Sequence, residues 1–215
     1  SHYGVNILTN SGGANIRVNR KSINFSMGGT ISHAAFLQKD LRQDTALSYV
    51  YLNLFPRANF NWTIKPQTRL SIRYNGSTRQ PTIEQLQPLN DNSDPFFERK
   101  GNPDLKQEFN HNFRFNISDY KVLKSKSIYL NANLVLTNNA ITNANTIDSL
   151  GRRVNQAINV KGNYNFNLYG GYGFEIAPSV NLNFNIGPSL RRFVNVINGQ
   201  RNVNDNKSFG GGLYV

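Results

Sequence analysis

The residue types that most often carry chemistry are thinly scattered through this chain. The three histidines are His2, His33 and His111, and there is no cysteine. No nucleophile-elbow or zincin motif is present, and no glycine-rich loop cradles a phosphate. A chain without cysteine also has neither a disulfide framework nor a thiolate metal site. We therefore expect no catalytic residues, no metal site and no cofactor, and we expect that the protein is not an enzyme.

Residues suited to ligand binding concentrate in one long segment, residues 77–103. Long loops in compact proteins are often functional, although disorder is the other common interpretation. Asp91-Asn92-Ser93-Asp94 offers oxygen ligands, but the glycine and distal glutamate of an EF-hand loop are missing, which favours an acidic turn. Carbohydrate, peptide and metal chelate are equally compatible ligands. The candidate ligand-binding residues are Gln80, Asn90, Asp91, Asn92, Asp94, Phe96 and Phe97.

The elements that must position these residues are β-strands, because apolar residues alternate with polar ones along most of the chain. Successive side chains of a strand point to opposite faces, so each strand has one apolar and one polar face. The polar positions are mostly Asn, Ser, Thr and Arg, and asparagine alone occurs 34 times. The clearest apolar series is Tyr164, Phe166, Leu168, Tyr172, Phe174, Val180, Leu182, Phe184 and Ile186.

Short and long links between these strands alternate along the sequence. Short links are expected at residues 18–21, 65–68, 119–125 and 175–178. Long links are expected at residues 39–48, 77–103, 142–153 and 198–206. This order predicts an antiparallel meander of about nine or ten strands, with short turns at one end and long loops at the other. Residues 154–174 are long enough for one continuous strand.

A soluble β-sandwich and a transmembrane β-barrel both produce such alternation. Sandwich strands recur every 8–12 residues, which is about half the spacing seen here. A soluble surface also carries many Lys and Glu residues, whereas the polar positions here are largely uncharged. Long strands, apolar-out and polar-in alternation, and turns segregated from loops are all typical of a membrane barrel. The pattern therefore favours an antiparallel transmembrane barrel.

The formal charge of +12, from 24 Lys plus Arg and 12 Asp plus Glu, has more than one interpretation. Basic chains often bind nucleic acid, but the aromatic residues here lie on the apolar face and few remain to stack on bases. Contact with lipid phosphates and a solvated rim are both open, and no nucleic-acid partner is expected. The basic residues near links are Arg20, Lys21, Lys121, Lys124 and Lys126 at the short-turn end, and Arg152, Arg153, Arg191, Arg192 and Arg201 at the other.

Two motifs flank the longest link. The first contains Arg79, Pro81 and Leu86, and the second contains Gly101, Asn102, Pro103, Leu105 and Glu108. They resemble the R-x-P-x-x-x-x-L and G-N-P-x-L-x-P-E segments of TonB-dependent outer-membrane receptors, in the branch called the outer-membrane protein β-barrel family. Gln107 stands where that family usually has proline. We interpret these residues as architectural, since Gly-Asn-Pro-Asp is a turn signal that ends a loop and starts a strand.

The resemblance implies an outer-membrane receptor or transporter that imports a nutrient ligand. Its implied partners are outer-membrane lipid including lipopolysaccharide, a plug domain of the same protein, TonB, and a surface lipoprotein. Residues 1–215 would then form about nine or ten strands of a larger barrel, expected to have 22, with the plug domain and the other strands outside this chain. The start at Ser1, without a signal peptide or an initiating Met, also suggests a processed or partial chain. The alternatives are a passive porin or structural outer-membrane barrel, and a soluble secreted β-sandwich binding module.

Overall fold

The computed structural model describes residues 3–40, 45–87, 90–94, 96–121, 125–147 and 149–215. These residues form thirteen strands and one short helix, α1 (Ile83–Leu86). Across this described part, no helix has the length and apolarity needed to cross a bilayer. The strands are β1 (Tyr3–Asn19), β2 (Ile23–Asp40), β3 (Thr45–Lys65), β4 (Thr68–Arg79), β5 (Asn90–Asp94), β6 (Phe97–Lys100), β7 (Glu108–Lys121), β8 (Lys126–Asn138), β9 (Ala140–Ile147), β10 (Arg153–Val160), β11 (Asn163–Ala177), β12 (Val180–Ile197) and β13 (Gln200–Tyr214).

Nine strands form a continuous antiparallel wall in the order β1-β2-β3-β4-β7-β8-β11-β12-β13. Within the described residues, β1 pairs only with β2 and β13 pairs only with β12, so these two strands are the edges of the wall. The predicted all-β antiparallel meander of nine or ten strands is confirmed. The remaining strands, β5, β6, β9 and β10, lie in a smaller group beyond one end of the wall.

The pairing register sorts the side chains of the wall into two faces. On one face, which we call the apolar face, a single row runs through Ile16, Met27, Ala58, Tyr74, Phe113, Leu134, Phe166 and Leu190. The opposite face, which we call the polar face, carries the next row, Arg17, Ser26, Asn59, Arg73, Arg114, Asn133, Asn167 and Ser189. A one-residue slip of any strand would exchange its two faces, so the alternation itself fixes this register.

Three of the four predicted long links are wrong. In the segment 39–48, β2 extends to Asp40 and β3 begins at Thr45. The segment 198–206 contains only a two-residue turn, in which Asn198 and Gly199 have φ angles of 49° and 75°, and β13 begins at Gln200. An Asn-Gly pair with positive φ at both residues is the usual two-residue hairpin turn. The segment 142–153 is likewise mostly strand, since β9 extends to Ile147 and β10 begins at Arg153. Asparagine, which is frequent in loops, recurs in these two segments at Asn143, Asn145, Asn202, Asn204 and Asn206.

The hairpin of β9 and β10 departs from the sequential strand order of the wall. β8 and β9 are separated only by Asn139, with φ of 52°, and β10 and β11 by Lys161 and Gly162, with φ of 96° at the glycine. The predicted continuous strand 154–174 is therefore wrong. On the short-turn side of these breaks, β11 lies between β8 and β12. On the other side, β9 is the neighbour of β12. The hairpin has turned over about its long axis, which leaves β10 free to pair in parallel with β6.

Candidate functional site

The long link between β4 and β7 folds together with the displaced hairpin. We call this unit the loop assembly; it comprises residues 80–87, 90–94 and 96–107 with β9 and β10. Its apolar centre is formed by Leu86, Leu105 and Ala157, which are 2%, 6% and 5% exposed. Tyr49 and Tyr51, from the polar-face positions of β3, pack against this cluster. The loop assembly therefore lies on the side of the wall to which the polar face points.

An ion pair connects the two ends of the link. Arg79 ends β4 and Glu108 begins β7, and Nε and Nη2 of the arginine donate to Oε1 and Oε2 of the glutamate, each over 2.7 Å. The amide of Ile141 in β9 donates to Oε2 as well, also over 2.7 Å. Burial raises the pKa of Glu108, but hydrogen bonds from Arg79 and from Ile141 outweigh it, and the pKa lies below its ordinary value of 4.5. A charged carboxylate thus ties both ends of the link to the hairpin.

Amide side chains attach the loop assembly at further points. Asn53 is buried on the polar face of β3, and its Oδ1 accepts hydrogen bonds from Nε2 of Gln80 at 3.1 Å and of Gln107 at 2.9 Å. Asn102 Nδ2 donates to the carbonyl of Ala157 over 2.9 Å, and Gln156 Nε2 donates to that of Gly101 over 3.0 Å. These bonds hold the start and the end of the link in fixed positions.

Glycine is required at position 101 by close packing. A Cβ atom there would overlap the carbonyl oxygen of Gln87, which follows α1. The next residue, Asn102, donates its backbone amide to the carbonyl of Gln85, and its Oδ1 accepts from the amide of Asp104. This is the turn that the Gly-Asn-Pro-Asp sequence predicts.

An open cleft of about 560 Å³ is lined by α1 and by the strands β6, β9 and β10 of the loop assembly. Glu84 comes from α1, and the paired strands β6, β10 and β9 contribute Phe97, Arg99, Lys100, Asn155 and Asn143. The Arg99 guanidinium lies 5.9 Å from the centre of the Phe97 ring, and Asn155 Nδ2 donates to Oδ1 of Asn145. Charged groups of both signs, amides and one aromatic face are what a small polar ligand needs for orientation and contact.

The candidate ligand-binding residues do not all meet in this cleft. Phe97 lines it, whereas Gln80 is bound to Asn53, and Phe96 is 71% exposed. The backbone of Asn90, Asp91, Asn92 and Asp94 forms β5, but their side chains lie outside the described residues, as do His2 and Lys124. Ligand binding by this set stays a prediction.

The motif residues occupy the joints of the loop assembly. Arg79 and Glu108 form the ion pair, and Leu86 and Leu105 share the apolar cluster. Pro81, two residues after Arg79, is also buried. Gly101 and Asn102 make the tight contacts with Gln87 and Ala157, and Pro103 follows in the turn. This placement supports the architectural interpretation of both motifs.

Sequence reasoning missed Asn53, Arg99, Asn143 and Asn155. Their types are no different from the many asparagines and arginines of the wall, and only the inversion of the hairpin brings Asn143 and Asn155 to the cleft. Arg99 stands two residues after Phe97, so period-two spacing places both on one face of a strand. That spacing was the one available signal.

The apolar face carries a group of rings close to the loop assembly. Tyr74 Oη and His111 Nδ1 are 3.0 Å apart, and the rings of Phe109 and Phe113 lie 4.7 and 6.4 Å from the imidazole. These contacts hold the His111 side chain within a cluster of aromatic rings. Arg191 and Arg192 lie within β12 rather than at a link, and Arg192 forms a two-bond ion pair with Asp205.

Comparisons with known proteins found one matching family and solved structures of similar fold. A family model described as "Outer membrane protein beta-barrel family" matches residues 2–213. The siderophore receptor PirA from Pseudomonas aeruginosa is similar in structure, with 14% sequence identity, a TM-score of 0.49, and coverage of 99% of this chain and 49% of that one. PirA from Acinetobacter baumannii is similar with 11% identity, a TM-score of 0.44, and coverage of 98% and 48%. The chain spans about half the length of these solved structures. No curated protein matches the sequence.

Proposed function

Since this chain belongs to the outer membrane protein β-barrel family, we propose that it is part of a TonB-dependent receptor that imports a nutrient ligand across the outer membrane. Family membership itself places the chain in the outer membrane, as part of a β-barrel whose apolar face meets lipid and whose polar face lines the interior. The predicted location and membrane-barrel fold are therefore confirmed. The dependence on TonB, the presence of a plug domain and the transport of a ligand are parts of our proposal.

The observation that carries the proposal is the polar cleft of the loop assembly. It lies beyond the loop end of the wall, on the interior side, where a solute entering the barrel arrives first. Its volume of about 560 Å³ falls within the roughly 300–1,000 Å³ of small-molecule sites. Lys100 lies 3.5 Å from the Glu98 carboxylate, and the Arg99 guanidinium is the cationic group that suits a ligand with carboxylate or other oxygen-rich groups.

The contacts that hold the link between β4 and β7 in place also favour a receptor over a passive pore. In the loop assembly, α1, β6 and the hairpin are joined by an apolar cluster and by the amide bonds of Asn53, Asn102 and Gln156. Elements packed in this way over the interior narrow the route for free diffusion and hold the cleft residues in place. A preformed cleft lowers the entropic cost of binding a ligand.

Uptake measured with and without cellular energy tests the proposal. Cells expressing the natural gene would be offered oligosaccharides, peptides and ferric chelates, with and without a TonB deletion. We expect uptake of one class, its loss in the deletion strain, and a large fall in uptake with Arg99→Ala or Phe97→Ala. Phe209→Ala is the matched control, because Phe209 is 75% exposed in β13 and lies opposite Pro188, eight residues along β12 from Val196, where β9 pairs.

Uptake that persists without TonB and follows solute size alone would support the passive-porin alternative instead. The cleft variants would then alter permeability equally for all three classes. Selective, energy-dependent uptake and unselective diffusion therefore give opposite results in the same strains.

A further inference from the structure

One region of the polar face is uncharged. On β8, β11, β12 and β13, the pairing register aligns four alternate polar-face residues of each strand, within residues 127–133, 167–173, 183–189 and 208–214. These sixteen residues, which we call the neutral patch, are all Ser, Asn, Tyr or Gly. The charged polar-face residues Glu175 of β11 and Arg191 of β12 lie beyond its two ends. The neutral patch therefore covers the short-turn half of this part of the wall.

Two tyrosine rings of the neutral patch lie across backbone that glycine leaves bare. A Cβ atom at Gly171 would be 2.5 Å from both Cζ and Oη of Tyr129, so the phenol of Tyr129 lies over the neighbouring strand β11. A Cβ atom at Gly212 would be 2.8–3.0 Å from Cε2, Cζ and Oη of Tyr214. Because these three atoms are nearly equidistant from that point, the ring of Tyr214 lies flat on β13.

Asn185 of β12 lies between the two rings. It is the direct cross-strand partner of Gly171 on one side and of Gly212 on the other. Tyr129 Oη donates to Asn185 Oδ1 over 2.5 Å and lies 3.4 Å from the hydroxyl of Tyr169. The ring centres of Tyr129 and Tyr169 are 5.6 Å apart. Aromatic rings thus alternate with an amide and with phenol hydroxyls across three neighbouring strands.

The tyrosines of the neutral patch are open to the space that the polar face borders. Tyr169 is 50% exposed and Tyr214 is 60% exposed. Beside Tyr169, toward the loop end, a shallow depression of about 300 Å³ is lined by Asn131, Asn133 and Asn167 of the patch and bordered by Arg114 and Asn116 of β7. Ring surfaces and amide groups are therefore available together to a ligand.

The residue types of the neutral patch select a class of ligand. A carboxylate, phosphate or ammonium group would lose its hydration there without gaining a charged partner. The hydroxyls of a sugar both donate and accept hydrogen bonds, as do amide side chains and phenol hydroxyls. The C–H groups of a sugar ring, which are slightly positive, pack on the negative face of an aromatic ring. A neutral saccharide matches both components of the patch.

We propose that the neutral patch binds a neutral oligosaccharide inside the barrel, with one sugar ring on Tyr129 and Tyr169 and another on Tyr214. From β11, which the Tyr129 phenol covers, to β13 there are two strand intervals, roughly 10 Å at about 4.8 Å each. The proposal rests on the proposed function, because an imported ligand has to pass the interior face. Short turns lie on the periplasmic side of such barrels, so a ligand that has left the cleft meets the neutral patch on its way inward.

Direct binding to the full-length protein, expressed from its natural gene and placed in lipid nanodiscs without sugar-based detergent, tests the site. Maltohexaose, cellohexaose and xylohexaose are the probes, and hexaglutamate and hexalysine peptides are the charged comparisons. Calorimetric titration gives the affinities, and saturation-transfer NMR identifies the sugar protons that contact the protein. We expect saturable binding of at least one oligosaccharide, with the strongest transfer to its ring C–H protons, and no saturable binding of either peptide.

Tyrosine variants locate the bound sugar. Tyr169→Ala and Tyr214→Ala should each lower the affinity by about five- to tenfold, whereas Tyr169→Phe keeps the ring and should retain most of it. Tyr172→Ala is the matched control, because Tyr172 is 37% exposed on the apolar face of β11 and should not affect binding. If an alanine variant does not assemble, leucine at the same position keeps apolar bulk without an aromatic face. The heat-modifiable gel mobility of the barrel identifies the folded variants.

Three outcomes would overturn the proposal: no saturable binding of any of the oligosaccharides, a charged peptide bound as tightly as the best oligosaccharide, or an affinity that the tyrosine variants leave unchanged. Binding that is lost with Phe97→Ala but retained in the tyrosine variants would place the sugar in the cleft instead. These measurements need neither TonB nor cellular energy. Loss of TonB-dependent import with intact saccharide binding would therefore reject the proposed function and keep the site, and TonB-dependent import of a peptide without saccharide binding would do the reverse.

Discussion

Arg79 and Glu108 face each other at the loop end of neighbouring strands, joined by two N–H···O bonds of 2.7 Å. The Glu108 side chain is only 7% exposed, whereas that of Arg79 is 62% exposed. Both residues lie beyond the ~9–11 residues that each strand needs to span the bilayer, counted from the short-turn ends of β4 and β7. The pair therefore closes the base of the loop assembly outside the membrane.

Arg79→Ala should destabilise the protein by roughly 1–3 kcal/mol, because it leaves the buried Glu108 carboxylate without its main partner. The measurement is denaturant unfolding of the barrel in lipid vesicles. Arg192→Ala provides the matched control, since Arg192 and Asp205 have the same two-bond geometry but are each 39% exposed. An exposed pair contributes about 0–1 kcal/mol, so equal losses in the two variants would contradict the role of burial.

The contribution of Glu108 should depend on pH. Its pKa lies below the ordinary 4.5, so the carboxylate stabilises the folded state at neutral pH, and this stabilisation is lost as pH falls through the lowered folded-state value. The wild type should therefore be more stable than Glu108→Gln above about pH 6, with the difference shrinking below pH 4.5. Unfolding free energies of both proteins across this range provide the measurement. A difference that stayed constant down to pH 3 would show that Glu108 acts without its charge.

Gly101→Ala should displace the link from α1, because the added Cβ overlaps the Gln87 carbonyl. We expect faster proteolytic cleavage within residues 80–107 and loss of ligand uptake, with the wall still folded. Gly12→Ala is the control, since a Cβ at Gly12 meets nothing within 4 Å. Unchanged proteolysis of the Gly101 variant would mean that the backbone moves aside at low cost.

Leu105→Ala should cost about 2–5 kcal/mol of local stability, because Leu105 is 6% exposed in the cluster with Leu86 and Ala157. The effect is expected in the loop assembly, seen as increased hydrogen exchange of β6 and β10, rather than in the wall. Leu150→Ala serves as the comparison, because that side chain is 76% exposed. Equal exchange in the two variants would argue against a packed centre.

The wall could be predicted from sequence because its signal is local and repeated. Phe113, Phe115 and Ile117 alternate with Arg114 and Asn116, and most strands of the wall repeat this arrangement, although β13 has Asp205 and Lys207 at apolar-face positions. The pairing registers of the strands and the apolar and polar faces of the wall follow from this alternation. The turn at Gly101-Asn102-Pro103-Asp104 follows from its residue types, whereas the ion pair between Arg79 and Glu108 does not follow from the sequence pattern.

The hairpin of β9 and β10 could not be predicted in the same way. Its departure from the wall depends on backbone angles at Asn139 and Gly162, and asparagine and glycine occur throughout this sequence without such breaks. The contact between Asn102 and Ala157 joins residues 55 positions apart, and the cleft exists only once that contact is made. Contacts between residues so far apart in the chain produce no periodic pattern in the sequence.

The edges of the wall also constrain how a complete barrel is made. Each of the eight junctions between neighbouring wall strands is antiparallel, so β1 and β13, the first and ninth, run in the same direction. Joining these two edges to each other would introduce a parallel seam. A fully antiparallel ring instead requires an odd number of further strands between them, which gives an even total. Any fully antiparallel barrel that contains this wall must therefore have an even number of strands, whatever ligand it binds.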